Sequence, residues 1–214
     1  MCWSATADLV AGSGIAAVGV ACLTQLRRAR DLPLAALPLL LGIHQVIEAE
    51  VWHSGGGTGP ATTAWAVIAL PLLALWVPCG VLLAAPRPAP RRLLLPVVAG
   101  TATAAVLTLR IADRPVIAEV RGHTVGYMVD LPLPALLVAG YLLATVGSLL
   151  LTPDPLLRLF GAVVSAGALI CFLLWKLEYV STWCAFAAVS AVLMAGWVRR
   201  GPAKSARPAG PRTP

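Results

Sequence analysis

The run Pro33-Leu34-Ala35-Ala36-Leu37-Pro38-Leu39-Leu40-Leu41-Gly42-Ile43-His44-Gln45-Val46-Ile47-Glu48-Ala49-Glu50-Val51-Trp52 decides the fold. At a rise of about 1.5 Å per residue it makes a helix about 30 Å long, which matches the hydrocarbon core of a bilayer. It nevertheless carries His44, Gln45, Glu48 and Glu50. The spacing of His44, Gln45, Glu48 and Trp52 puts them in one stripe, while Glu50 points elsewhere. Counted back from Trp52, Glu48 lies about 6 Å and His44 about 12 Å below the helix end, inside the membrane rather than at its surface. An ionised carboxylate at that depth costs several kcal/mol unless it is paired or wet, and such residues usually carry function.

Outward from this run, residues 8–26, 63–84, 93–111, 132–151, 157–177 and 182–198 form six further apolar segments of spanning length. The whole chain of 214 residues is 59% hydrophobic and 12% charged, with mean hydropathy +0.85, more apolar surface than a soluble domain can hide. Unpaired backbone amides are too costly in lipid, and no alternating barrel pattern is present, so every span is expected to be helical. The expected fold is all-α: seven transmembrane helices in one domain over residues 1–198, in the cell membrane. The Met1–Asp8 start lacks a basic n-region and a cleavage site, and is expected to stay in the mature protein.

Orientation follows from the basic residues. Twelve of them, from Arg27, Arg28 and Arg30 to the tail, fall on one side, against Arg110, Arg114, Arg121 and Lys176 on the other. The first side is expected to be cytoplasmic, which puts the N-terminus outside and the C-terminus inside. Residues 199–214, rich in Arg, Pro and Gly, read as a disordered cytoplasmic tail near anionic headgroups. The net charge of +7 is spread between apolar runs rather than gathered in one patch, so membrane lipids and not nucleic acid are the expected partners.

The other polar groups concentrate at the outer level. The sixth span offers the stripe Cys171, Trp175 and Glu178, followed by Trp183 and Cys184; the first offers Asp8 above Gly12 and Gly19. The outer connection Ala112–Leu131 contains Glu119, Arg121, His123, Tyr127 and Asp130 and is a candidate lid. Trp3, Trp52, Trp65, Trp175 and Trp183 lie at the depth of an interfacial belt, the plain explanation for any one of them. The plain role for His44 and Gln45 is interhelical hydrogen bonding. His44 and Glu48, four apart, have the spacing of a helical ligand pair, but no second His pair or Cys-x-x-Cys accompanies them. No metal or other cofactor is expected. Cys2 and Cys184 both fall on the outer side, where oxidation is permitted, and are expected to be bonded or adjacent.

The start Met1-Cys2-Trp3-Ser4-Ala5-Thr6-Ala7-Asp8, the run Leu32–Pro38 leading to His44-Gln45-x-x-Glu48, and Trp175-x-x-Glu178-x-x-Ser181-x-Trp183-Cys184 resemble a bacterial family of small membrane proteins labelled only as a domain of unknown function. A looser resemblance, in size, topology and two acids, is to the seven-helix terpene cyclases of meroterpenoid and indole-diterpene pathways. Those enzymes carry an intramembrane Glu on the second helix and another acid near the turn between the sixth and seventh, the places of Glu48 and Glu178. They tend to flank the first Glu with aromatic residues, where this chain has Ile47 and Ala49.

That resemblance implies acid-initiated cyclisation of a lipid-soluble prenylated small molecule. A buried carboxyl resists ionisation, so Glu48 would deliver a proton to an alkene or epoxide. Glu178, with His44 or Asp130, would orient the acid or take the final proton. Trp3, Trp52, Tyr127 and Trp175 would face the carbocation, and Gln45 and Asp8 would complete the substrate site. The competing class is a small-molecule transporter or sensor using the same intramembrane acids.

Overall fold

The structure, a computed structural model, describes residues 4–174 and 186–200, the side chains of residues 171–174 excepted. Cys2, Cys184 and the tail from residue 201 onward lie outside the described residues. Among the described residues seven helices are seen: α1 Ala5–Thr24, α2 Ala29–His53, α3 Pro60–Ala84, α4 Arg91–Asp113, α5 Pro134–Leu151, α6 Pro155–Leu174 and α7 Ala187–Arg200. The first five are long and apolar enough to cross a membrane, as in a multi-pass membrane protein.

Local chemistry sets the helix ends. Ser4 caps α1 by accepting from the Ala7 N–H at 3.2 Å. Asp154 caps α6 by accepting from the Leu156 and Leu157 N–H groups, and its second oxygen takes the Trp197 indole N–H at 3.1 Å, tying α6 to α7. On the side read as cytoplasmic, Leu34, Leu93, Leu157 and Met194 form a fully apolar core. At the same end the Trp76 indole donates to the Pro33 carbonyl at 2.7 Å.

The expectation of an all-α chain is corrected by a β-hairpin between α4 and α5. Strands β1 Ile117–Arg121 and β2 Thr124–Met128 pair antiparallel, Ala118 opposite Tyr127 and Val120 opposite Val125. The two-residue loop starts with Gly122 at φ +61°, a left-handed position that suits glycine. One face of the hairpin buries Ala118 and Val125 against Val51 of α2. Gly57, in the loop after α2, exchanges two backbone hydrogen bonds with Ala118. Its neighbour Gly56 sits at φ +85°, where a Cβ would lie 2.5 Å from the Ala118 carbonyl oxygen. The loop and hairpin together cover the ends of α2 and α3 remote from that apolar core.

Two spans contain a π-helical turn, Ile68–Leu72 in α3, which includes Pro71, and Leu143–Gly147 in α5. The Tyr141 hydroxyl donates at 2.6 Å to the carbonyl of Ala69 inside the first of them. This bond holds the two spans at a common level.

Candidate functional site

The site is organised by α2. Leu37, Leu41, His44 and Glu48 recur at helical spacing on one face. The first three line a cavity of 350 Å³, within the usual range of about 300–1,000 Å³ for small-molecule sites. Glu48, one turn further out, is 0% exposed. The Tyr127 hydroxyl, which reaches in from β2 and lines the cavity, donates to Glu48 Oε1 at 3.3 Å. Tyr127 therefore stands between the carboxyl and the cavity.

Aromatic packing fixes that position. Tyr127 stacks on Trp65 of α3 with ring centroids 3.4 Å apart and planes 4° from parallel, and Trp65 meets the His44 ring at 5.1 Å. The belt expectation for Trp65 is thereby corrected: it is 1% exposed, inside the protein and not at a lipid interface. Trp52, one turn above Glu48, donates its indole N–H to Asp8 Oδ2 at 2.9 Å, and Asp8 is also fully buried. Gln45 lies beside Gly12 of α1, and its buried amide has no hydrogen-bond partner among the described residues.

The structure thus brings together His44, Glu48 and Tyr127, with Asp8, Gln45 and Trp52 on the adjoining side of α2. Asp130 is elsewhere: it is exposed and paired with Arg114. Trp3, Trp175 and Glu178 lie outside the described residues. Glu50 and Asp113 are exposed, and Glu119 is half-buried and paired with Arg121.

The cavity runs inward from this polar end. Tyr141 and Thr145 edge it, and Leu37, Val77, Leu149 and Phe160 close its inner end. No Asp, Glu, Lys or Arg is among the described residues that line it. Both π-helical turns contribute to its wall, through Ala69 and Leu70 and through Thr145. Such irregular turns recur at functional sites, and Pro71 in mid-span was their one visible sign in the sequence. Val138 of α5 lines the cavity and is 51% exposed, so the chamber borders the protein surface there. In chemical terms the arrangement is an apolar chamber with hydrogen-bonding groups and a buried carboxyl at one end.

The chain belongs to the family of unknown function DUF6629, whose model matches residues 1–209. No curated protein and no solved structure matches it.

Proposed function

We propose that the protein is a membrane enzyme of seven spans, N-terminus outside, that cyclises a lipid-soluble prenylated molecule by acid initiation. The observation that carries the proposal is the position of Glu48, fully buried one turn beyond the cavity and linked to it through the Tyr127 hydroxyl. As Glu48 gives its proton to the Tyr127 hydroxyl oxygen, that hydroxyl turns away from the carboxyl and passes its own proton to the terminal alkene carbon or epoxide oxygen of a chain lying in the cavity. The carbocation closes on an internal alkene, and loss of a proton from a neighbouring carbon forms a new double bond. His44 or Glu178 takes that proton and returns it to Glu48, so the net change is an isomerisation.

The rings of Tyr127, backed by Trp65, and Tyr141 both belong to the cavity wall, which suits a cationic intermediate. An apolar lining without described cations suits a hydrocarbon chain with a neutral head. The half-exposed Val138 offers entry from the bilayer. A transporter would need a polar route inward, whereas the inner end is closed by Leu37, Val77, Leu149 and Phe160.

Membranes containing the protein, supplied with prenylated phenols and their terminal epoxides, are expected to yield cyclised isomers of unchanged mass. Absence of product across the panel, together with proton-coupled uptake into vesicles, would establish the transport class instead. Orientation is tested with single cysteines at His123 and Arg87 in a cysteine-free background. An impermeant maleimide on intact cells should label the first and spare the second.

A further inference from the structure

We propose that Phe160 sets the length of the chain that the cavity takes, an inference that rests on the cavity being a prenyl-chain site. Three helices measure its depth independently. From His44 to Leu37 on α2, from Ala69 to Val77 on α3 and, inward of the Tyr141–Ala69 bond, from Tyr141 to Leu149 on α5, the lining residues advance seven or eight positions, which is about 10–12 Å along each axis; Leu137 and Val138 line the chamber a further turn out on α5. The Tyr141–Ala69 hydrogen bond puts the outer ends of two of these measures at one level. At the inner end Leu37, Val77, Leu149 and Phe160 belong to one packed cluster, and Gly161, next to Phe160, packs directly on the Leu149 side chain.

An isoprene unit advances about 5 Å when its four carbon–carbon bonds, each about 1.5 Å, are extended. A chain whose head stays at the His44–Tyr127 end therefore meets the floor after two to three units. The floor is closed: Leu37, Val77, Leu149 and Phe160 are all buried, Phe160 at 4% exposure. The half-exposed Val138 lies toward the outer end of α5, well above it. A chain entering beside Val138 thus ends against the floor and cannot pass it. Phe160 is the one aromatic ring among these four floor residues, so its removal deepens the chamber most, by about one isoprene unit. Behind it lie the apolar side chains of Leu157, Met194 and Trp197, which hold no charge that would repel a longer chain.

The test uses purified full-length protein in nanodiscs and one neutral phenol carrying a geranyl, farnesyl or geranylgeranyl chain, with affinity read from ligand-induced thermal shifts. Wild type should prefer the geranyl and farnesyl probes and bind the geranylgeranyl probe about tenfold or more weakly. Phe160→Ala should move the preference up by one unit. Phe160→Leu, which keeps an apolar filler if the alanine variant does not fold, should move it part of the way. Binding of the panel with an unchanged length preference in both variants would overturn the role of Phe160 and leave the prenyl-chain site standing. Failure of every probe to bind the wild type would overturn the prenyl-chain site itself, and the inference with it.

Discussion

The two sides of α2 are built on opposite plans. Toward α1 the helix has no free space: a Cβ on Gly19 would lie 2.2 Å from the Leu39 backbone nitrogen, and one on Gly42 2.4 Å from that of Ala16. Toward α3 and α5 the same helix borders a 350 Å³ cavity. Side chains lining a void forfeit dispersion contacts that a filled interior would give them. The tight side thus anchors the helix, and the open side carries a cost that packing alone does not explain. Glu48 sits where the two plans meet, on the cavity face but outside the cavity. Under the proposed function the tight face is structural and the open face chemical, and substitutions on each face can separate the two roles.

The largest effect is expected at Glu48. Glu48→Gln keeps the size of the side chain and its capacity to accept from Tyr127 but removes the transferable proton. Turnover of an accepted prenylated substrate should fall by about 10²–10⁴-fold, the usual worth of a general acid, while thermal stability changes little. Retention of full turnover would remove the acid from the open face and leave the comparison without its chemistry.

On the tight face the order is reversed. Gly19→Ala directs its methyl group at backbone atoms that cannot swing aside, so it should cost about 1–3 kcal/mol of stability. Substrate affinity in the folded fraction should stay as in the wild type. An unchanged melting temperature in nanodiscs would show that α1 and α2 can part, and that the anchor is weaker than the distances imply.

How much of this was legible beforehand depended on what fixed each feature. The stripe of His44 and Glu48 follows from helical periodicity, which the chain sets locally, and the structure keeps both on the cavity side. Trp65 was not legible, because a tryptophan at that depth serves a belt or a core equally well, and only its azimuth toward Tyr127 decides. The hairpin is marked only by short, irregular alternation on either side of Gly122-His123, too few residues to stand out between two long helical patterns. Asp130 stands three residues after Tyr127, yet the chain leads it out to Arg114 and away from Glu48. Sequence proximity in an extended segment separates side chains quickly. The cavity floor is legible in no single segment, because Phe160, Leu149 and Leu37 meet only through packing.

Trp52 offers a finer test at the outer edge of the tight face. Trp52→Phe keeps an aromatic ring beside α1 but deletes the N–H that Asp8 accepts at 2.9 Å. The expected loss is about 1 kcal/mol, the net worth of an ordinary hydrogen bond. It should appear as a lower melting temperature with the same chain-length preference. A change in that preference without a change in stability would move Asp8 and Trp52 from the anchor to the substrate site.

The smallest expected effect has the opposite sign and concerns Gln45. Its side chain is 1% exposed beside Gly12, and neither its amide nitrogen nor its amide oxygen has a partner among the described residues. A buried amide left unpaired pays its desolvation without return, whereas an apolar side chain of similar shape pays nothing. Gln45→Met preserves the unbranched outline that fits against Gly12 and removes both polar atoms. It should therefore leave stability unchanged or raise it, by up to about 1 kcal/mol. Turnover should hold as well, because Gln45 faces α1 while the cavity is lined by His44, one position away. A clear fall in melting temperature would mean that the amide is hydrogen-bonded in the membrane, so that the tight face holds polar structure as well as glycine contacts. A fall in turnover at unchanged stability would instead assign Gln45 to the open face and shift the boundary between the two sides of α2 by one residue.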